Sequence, residues 1–196
     1  EPHRQRYVHR RVEQDHADEE NRIADARIRE DYLRILRFFR MHAAYGTGEP
    51  DRAGYLACIA GRAGLASLSA ERVRMEMLKL VVAEGAGDAV QAMADAGLLL
   101  AIFGGVTYTG TFAAMIAAER ALALRPSAVR RLAALSVAVT EDAKRVAARL
   151  RLSNAEAKAL DSMGHRWWRF ADKDQARARV RVGDAGLHDS ILLSIA

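Results

Sequence analysis

The chain has 196 residues, 51% of them hydrophobic, and a formal net charge of +5. It is therefore long enough to bury its own core and too apolar to be disordered throughout. One cysteine excludes an internal disulfide, no apolar run reaches the roughly 18 residues a membrane span needs, and the basic balance favours an anionic partner such as RNA.

Helix formers dominate the chain and there are only three prolines. The periodicity predicts a first helix from Ile28 to Tyr45, stopped by Gly46 to Pro50. A second should cover Asp51 to Ala63. Ser69 is an N-cap for a third, Ala70 to about Ala83. Gly85-Ala86-Gly87 breaks it, Asp88 caps a helix to Ala96, and Gly97 ends that one. Gly105 to Phe112 is the nearest candidate strand. Phe112 to Leu124 reads as helix, closed by Arg125-Pro126; Ser127 opens the next, to about Val139. Thr140 caps another to Leu150, and Ser153-Asn154-Ala155-Glu156 is a capping-box pattern before the last. The expected fold is all-α, a stack of about nine to eleven helices on short loops with no large sheet. Cys58, beside Leu56 and Ile59, reads as a buried thiol suited to a reducing cytoplasm.

The most informative stretch is Arg29 to Arg40. At about 100° per residue, Tyr32, Ile35, Leu36 and Phe39 gather on one side and Glu30, Asp31, Arg34, Arg37 and Arg40 spread over the other. Asp31 and Arg34 are three apart. On spacing alone they form a surface ion pair worth a few tenths of a kcal/mol. The same two groups also make an edge that fits a nucleobase. A carboxylate only accepts hydrogen bonds and a guanidinium only donates them. Cytosine and adenine each set an amino donor beside a ring-nitrogen acceptor. Uracil and guanine offer a carbonyl and a ring N–H, which would leave buried polar groups unpaired.

Glu30-Asp31-Tyr32-Leu33-Arg34 resembles the base-recognition motif Glu-Asp-x-x-Arg of the class II nucleotidyltransferase family, the bacterial CCA-adding enzymes and poly(A) polymerases. The flanking Arg27-Ile28-Arg29 and Ile35 to Arg40 match as well. Leu68 to Leu80 resembles the family's helix-stabilising motif, and Ala89 to Leu98 and Arg149 to Leu160 resemble body segments. Order and spacing agree over roughly residues 22 to 196. The resemblance implies that Asp31 and Arg34 read the incoming base and that Arg37 and Arg40 help hold the nucleotide. It implies too that Glu30 positions the arginines and that Glu71 and Arg72 brace the nucleotide helix. It implies a divergent head-to-neck linker over 1–27, a neck that recognises the base and binds RNA over 28–125, and a helical body over 126–196.

That family's chemistry resides in a head domain with a Gly-rich turn and a strand bearing Asp-x-Asp, which holds two metal ions. No such strand occurs here. Asp172-Lys173-Asp174 lies in a polar stretch and reads as a solvated loop. The expectation is the neck and body of a longer protein, without catalytic residues or a metal site, and inactive alone; Mg2+ would belong to the head. The parent would add CMP and AMP from CTP and ATP to the 3′ end of tRNA. A poly(A) polymerase of the same family and a non-catalytic helical RNA-binding protein are the alternatives. Three further features are weaker. Trp167 and Trp168 sit among cations that could stack RNA bases, but one Trp in the core is the plainer reading. Arg177, Arg179 and Arg181 could contact phosphates. His188-Asp189 lacks the companion histidines of a metal site.

Overall fold

The structure, a computed structural model, describes residues 18–164. Among the described residues it contains ten α-helices and no strand: α1 (18–30), α2 (Leu33–Tyr45), α3 (Arg52–Gly61), a 3-10 helix (Arg62–Ser67), α4 (Ala70–Leu80), α5 (Ala86–Asp95), α6 (Leu98–Phe103), α7 (Thr109–Ala121), α8 (Ala128–Ser136), α9 (Thr140–Arg149) and α10 (Asn154–Gly164). The features expected at Trp167, Trp168, Asp172, Asp174, Arg177, Arg179, Arg181 and His188 lie outside the described residues.

The expected first helix is in fact two. The chain is already helical at residue 18, the first described residue, and turns at Asp31 and Tyr32 before α2 starts. The reason is local chemistry. The Asp31 carboxylate accepts a hydrogen bond from the Leu33 amide at 3.1 Å, which competes with helix continuation. The amides of Arg34 and Ile35 bond back only three residues, to Asp31 and Tyr32. Asp31 therefore opens α2 rather than lying within it. The Tyr32 ring seats against Gly64, where a Cβ would stand 2.1 Å from the ring.

Other expectations change as well. Leu98–Phe103, to which the sequence pattern assigns no element, is the short helix α6, with left-handed glycines at both ends, Gly97 and Gly104. Residues 104–108 are a loop leading into α7, not a strand. α5 starts at Ala86, two residues before the expected Asp88 cap. At α9 the expected cap, Thr140, is instead the first helical residue, with Val139 at the N-cap and its amide donating to Asp142 at 3.2 Å. Asp51, expected as the first residue of its helix, is a cap, and Ser69, Ser127 and Ser153 act as read. The Asp51 carboxylate accepts from Gly54 at 2.7 Å, and the hydroxyls of Ser69 and Ser127 accept from Arg72 and Arg130. The box at α10 closes both ways: Ser153 Oγ accepts from the Glu156 amide, and Glu156 accepts from the Ser153 amide at 2.8 Å.

One core runs through all these helices. Ile35, Leu36 and Phe39 of α2 are fully buried, together with Met77 and Leu80 of α4, Met93 of α5, Phe112 and Met115 of α7, Leu132 and Leu135 of α8 and Val146 of α9. Each such side chain stabilises the fold by about 1.5–3 kcal/mol. α2 lies against α4 and α5, α7 against α5 and α8, and α8 to α10 pack together. Cys58 is buried within it as expected, and burial pushes its thiol up to about 12. It should stay unmodified by a thiol reagent in the native protein and react on unfolding.

A buried ionic cluster fastens α7, α8 and α4. Glu119, 1% exposed, accepts from Arg130 Nε at 2.8 Å and Arg131 Nε at 2.6 Å. Arg131 also donates to the Val81 carbonyl at the end of α4, at 2.9 Å. Removing one member strands buried charge. Glu119→Ala should cost about 3–5 kcal/mol in urea unfolding; a loss well under 1 kcal/mol would show that the cluster is not coupled to folding.

Candidate nucleotide and RNA site

The sequence-predicted residues gather where α2 crosses α4. α4 carries Arg72 and Glu76 four apart, so both face α2. Arg72 Nη2 donates to both oxygens of Asp31, each at 3.1 Å. Glu76 accepts from Arg40 Nε at 2.6 Å and meets Arg37 Nε at 3.6 Å. Glu30 pairs with Arg34 at 3.1 Å, one helical turn away.

Asp31 and Arg34 are therefore not each other's partner. Spacing suggested a direct pair, but the turn at Asp31 rotates its carboxylate toward α4, while Arg34 takes Glu30. Each is left with unused capacity. An ionised carboxylate accepts about four hydrogen bonds and a guanidinium donates five. Asp31 and Arg34 thus still present an acceptor and a donor at the start of one helix.

Glu76 was not singled out in the sequence, although it lies within the block that resembles the helix-stabilising motif. The available signal was a glutamate between Met75 and Met77, with Met77 fully buried beside it. Glu76 is itself only 4% exposed, and a buried carboxylate needs partners. Here they are two arginines of α2. Of the expected braces, Arg72 reaches α2. Glu71 faces the other way, to Arg151 at 2.6 Å. Arg74, on that second face, donates to both oxygens of Glu156 at 2.9 and 2.6 Å. α4 thus grips α2 with one face and the start of α10 with another. On α9, Arg149 donates to the Ile102 and Ala101 carbonyls at 2.7 and 2.5 Å, closing the C-terminal end of α6. The side chain lies on Gly104, where a Cβ would meet it at 3.1 Å.

The Asp31 carboxyl lies below its ordinary value, first through the Leu33 amide; burial opposes this, and the charge and hydrogen bond of Arg72, with the Arg37 charge, outweigh that opposition. Glu71 is lowered mainly by its bond from Arg151. Glu156 is lowered too: burial raises it, and Arg74 and Ser153 outweigh that. A lowered carboxyl stabilises the fold above its unfolded value, and that contribution is lost as pH falls through the folded one.

Beside Arg34, a groove of about 410 Å³ opens between α1, α2 and the start of α3. Ile23, Ile28, Phe38 and Cys58 line it, with Arg27 and Asp51 among its charged residues. Among the described residues no group of three His, Cys, Asp or Glu side chains is arranged to hold a metal ion. No described helix is long and apolar enough to cross a membrane.

Part of the sequence, and the fold, have counterparts among known proteins. Residues 57–108 match the family model described as the probable RNA- and SrmB-binding site of polymerase A. The chain is 41% identical over 80 residues to the mitochondrial CCA tRNA nucleotidyltransferase 1 of Danio rerio, covering 38% of this chain and 18% of that protein. Its fold is similar to that of a Thermotoga maritima CCA-adding enzyme solved with tRNA, with a TM-score of 0.62 at 13% identity. That match covers 86% of this chain and 45% of the enzyme. A CCA-adding enzyme solved with CTP gives a TM-score of 0.64 at 13% identity, over 86% of this chain and 44% of that one. The chain therefore spans less than half the length of the relatives it matches. Part of the chain is thus similar in sequence to a CCA tRNA nucleotidyltransferase and to an RNA-binding family model, and its helical fold is similar to that of CCA-adding enzymes.

The two causes acting on Asp31 separate in one variant. Arg72→Ala should bring the Asp31 carboxyl back toward, but not fully to, its ordinary value, because the Leu33 amide remains. A carboxyl-carbon NMR titration reads this directly. An unchanged Asp31 would mean that Arg72 does not act on it in solution.

Proposed function

We propose that this chain is the base-selecting and RNA-binding part of a tRNA nucleotidyltransferase, which transfers CMP and AMP from CTP and ATP to the tRNA 3′ end. The observation that carries this reading is the paired presentation of the Asp31 carboxylate and the Arg34 guanidinium at the start of α2, with Arg72 and Glu30 holding them. Asp31 would accept from the base amine and Arg34 would donate to the ring nitrogen. Cytosine and adenine satisfy both groups; uracil and guanine satisfy neither. Arg37 and Arg40, held over Glu76, would keep further N–H groups for the nucleotide. Arg72 and Glu30 are positioning residues, and Glu71 belongs to the brace between α4 and the α9–α10 turn.

The neck on this reading is 28–125 and the body 126–196, the latter extending the RNA surface, with Arg177, Arg179 and Arg181 as phosphate contacts. On this reading Mg2+ chemistry would belong to a head domain, as the resemblance to the family implies. A reducing cytoplasm suits the lone buried thiol. The family-model description favours one second reading, a poly(A) polymerase, whose adenine the same pair would accept.

In the full-length enzyme, Asp31→Ala and Arg34→Ala should each erode the preference for CMP and AMP over UMP and GMP by tenfold or more, about 1.4 kcal/mol or above. Thermal stability should change little in Arg34→Ala and fall modestly in Asp31→Ala, which also loses the bonds from the Leu33 amide and Arg72. Nucleotide-incorporation assays on tRNA lacking its 3′ CCA measure this. Undiminished selectivity in both variants would remove the assigned role.

A further inference from the structure

α2 has a second exposed feature that base selection does not use. Beyond Arg34 and Arg37, the same side of the helix carries Met41 and Tyr45. The four positions fall within a sector of roughly 80°, opposite the buried Leu36, Phe39 and Ala43. Their exposure is high: Arg34 is 43% and Arg37 50% exposed by side chain, Met41 46% and Tyr45 78%. Met41 and Tyr45 are four residues apart, so thioether and ring adjoin on one ridge. A phenol ring this open on a rigid helix lacks the packing that usually accounts for a tyrosine.

We propose that the exposed ridge of α2, from Arg34 to Tyr45, is a platform for the single-stranded end of an RNA, with Tyr45 and Met41 under its bases and Arg37 facing its phosphates. The inference rests on the RNA-directed reading above and adds a binding surface to it. Three observations support it. First, α2 carries no acidic side chain and three arginines, Arg34, Arg37 and Arg40, so the face suits a polyanion. Second, Arg37 is half exposed and meets Glu76 through Nε at 3.6 Å, beyond hydrogen-bond distance. Third, flat apolar groups beside cations are how single strands are held without reading sequence, since every base has a π-face. From Arg34 to Tyr45 the ridge is about 16 Å long. It joins the base-reading residues directly, so a strand lying on it would bring its end toward Asp31 and Arg34. The His42 ring packs at the Gly46 turn, where a Cβ would stand 2.3 Å from Nδ1, and so fixes the end of the helix that presents Tyr45.

The test is binding of a short dye-labelled single-stranded RNA to the 196-residue chain, read by fluorescence anisotropy at fixed salt. Tyr45→Ala should weaken binding about tenfold, Met41→Ala by less, and Tyr45→Phe should retain near wild-type affinity because it keeps the ring. Circular dichroism checks that the exposed substitutions leave the fold intact. If wild type binds RNA and Tyr45→Ala binds equally well, the platform is refuted, the ridge belongs to a protein contact, and the base-selection reading stands. If Tyr45→Phe weakens binding as much as Tyr45→Ala, stacking is refuted. If the wild-type chain binds no RNA, the platform and the RNA-binding part of the proposed function fall together, while the nucleotide-selectivity assay still judges base selection by itself.

Discussion

The interaction on which the rest depends is the carboxylate of Glu76, buried between α4 and α2 and shared by two arginines. Without it, Arg37 and Arg40 would repel each other one turn apart and leave α4 facing unpaired cations. With it, α4 becomes the beam that sets the azimuth of α2. Arg72, one turn earlier on the same face, fixes the start of α2 through Asp31. Two ionic contacts one turn apart define both the rotation and the longitudinal position of a helix, which a purely apolar seam does less sharply.

The beam is itself anchored at both ends by charge. Arg131, buried with Glu119 and Arg130, holds the last carbonyl of α4. Arg74 and Glu71 hold the α9–α10 turn, where Arg151 adopts a left-handed backbone with φ of 47°. The core is continuous from α1 to α10, so helices on both sides of residues 125–126 bear on the placement of Asp31 and Arg34. Such anchoring would serve the proposed base selection, because an edge that reads hydrogen bonds loses its selectivity if its members drift.

Much of this was legible in the sequence. Ile35, Leu36 and Phe39 fall on the buried side because helical periodicity is strong in that run. Asp51, Ser69, Ser127 and Ser153 cap helices because their side chains bond to backbone amides a few residues away. The candidate site residues were singled out for a different reason, a motif whose spacing resembles a known family. What escaped was non-local. The turn at Asp31 arises partly from its own side chain, but its orientation depends on Arg72, 41 residues on. Glu76 could be placed on a helix, yet its burial depends on which helix crosses there. Glu71 and Arg72 are adjacent in sequence, so they point to different sides of α4, and only the fold shows that Arg72 alone meets α2. α6 was missed because six apolar residues between glycines carry no period that separates helix from strand.

The most direct measurement of the proposed function is incorporation of labelled CMP and AMP into tRNA lacking its 3′ CCA, by a full-length protein that carries this sequence, with the 196-residue chain as control. The account predicts both nucleotides incorporated, UMP and GMP refused, and the chain inactive alone. AMP addition without CMP would transfer the assignment to a poly(A) polymerase, and equal use of all four nucleotides would contradict base selection at Asp31 and Arg34.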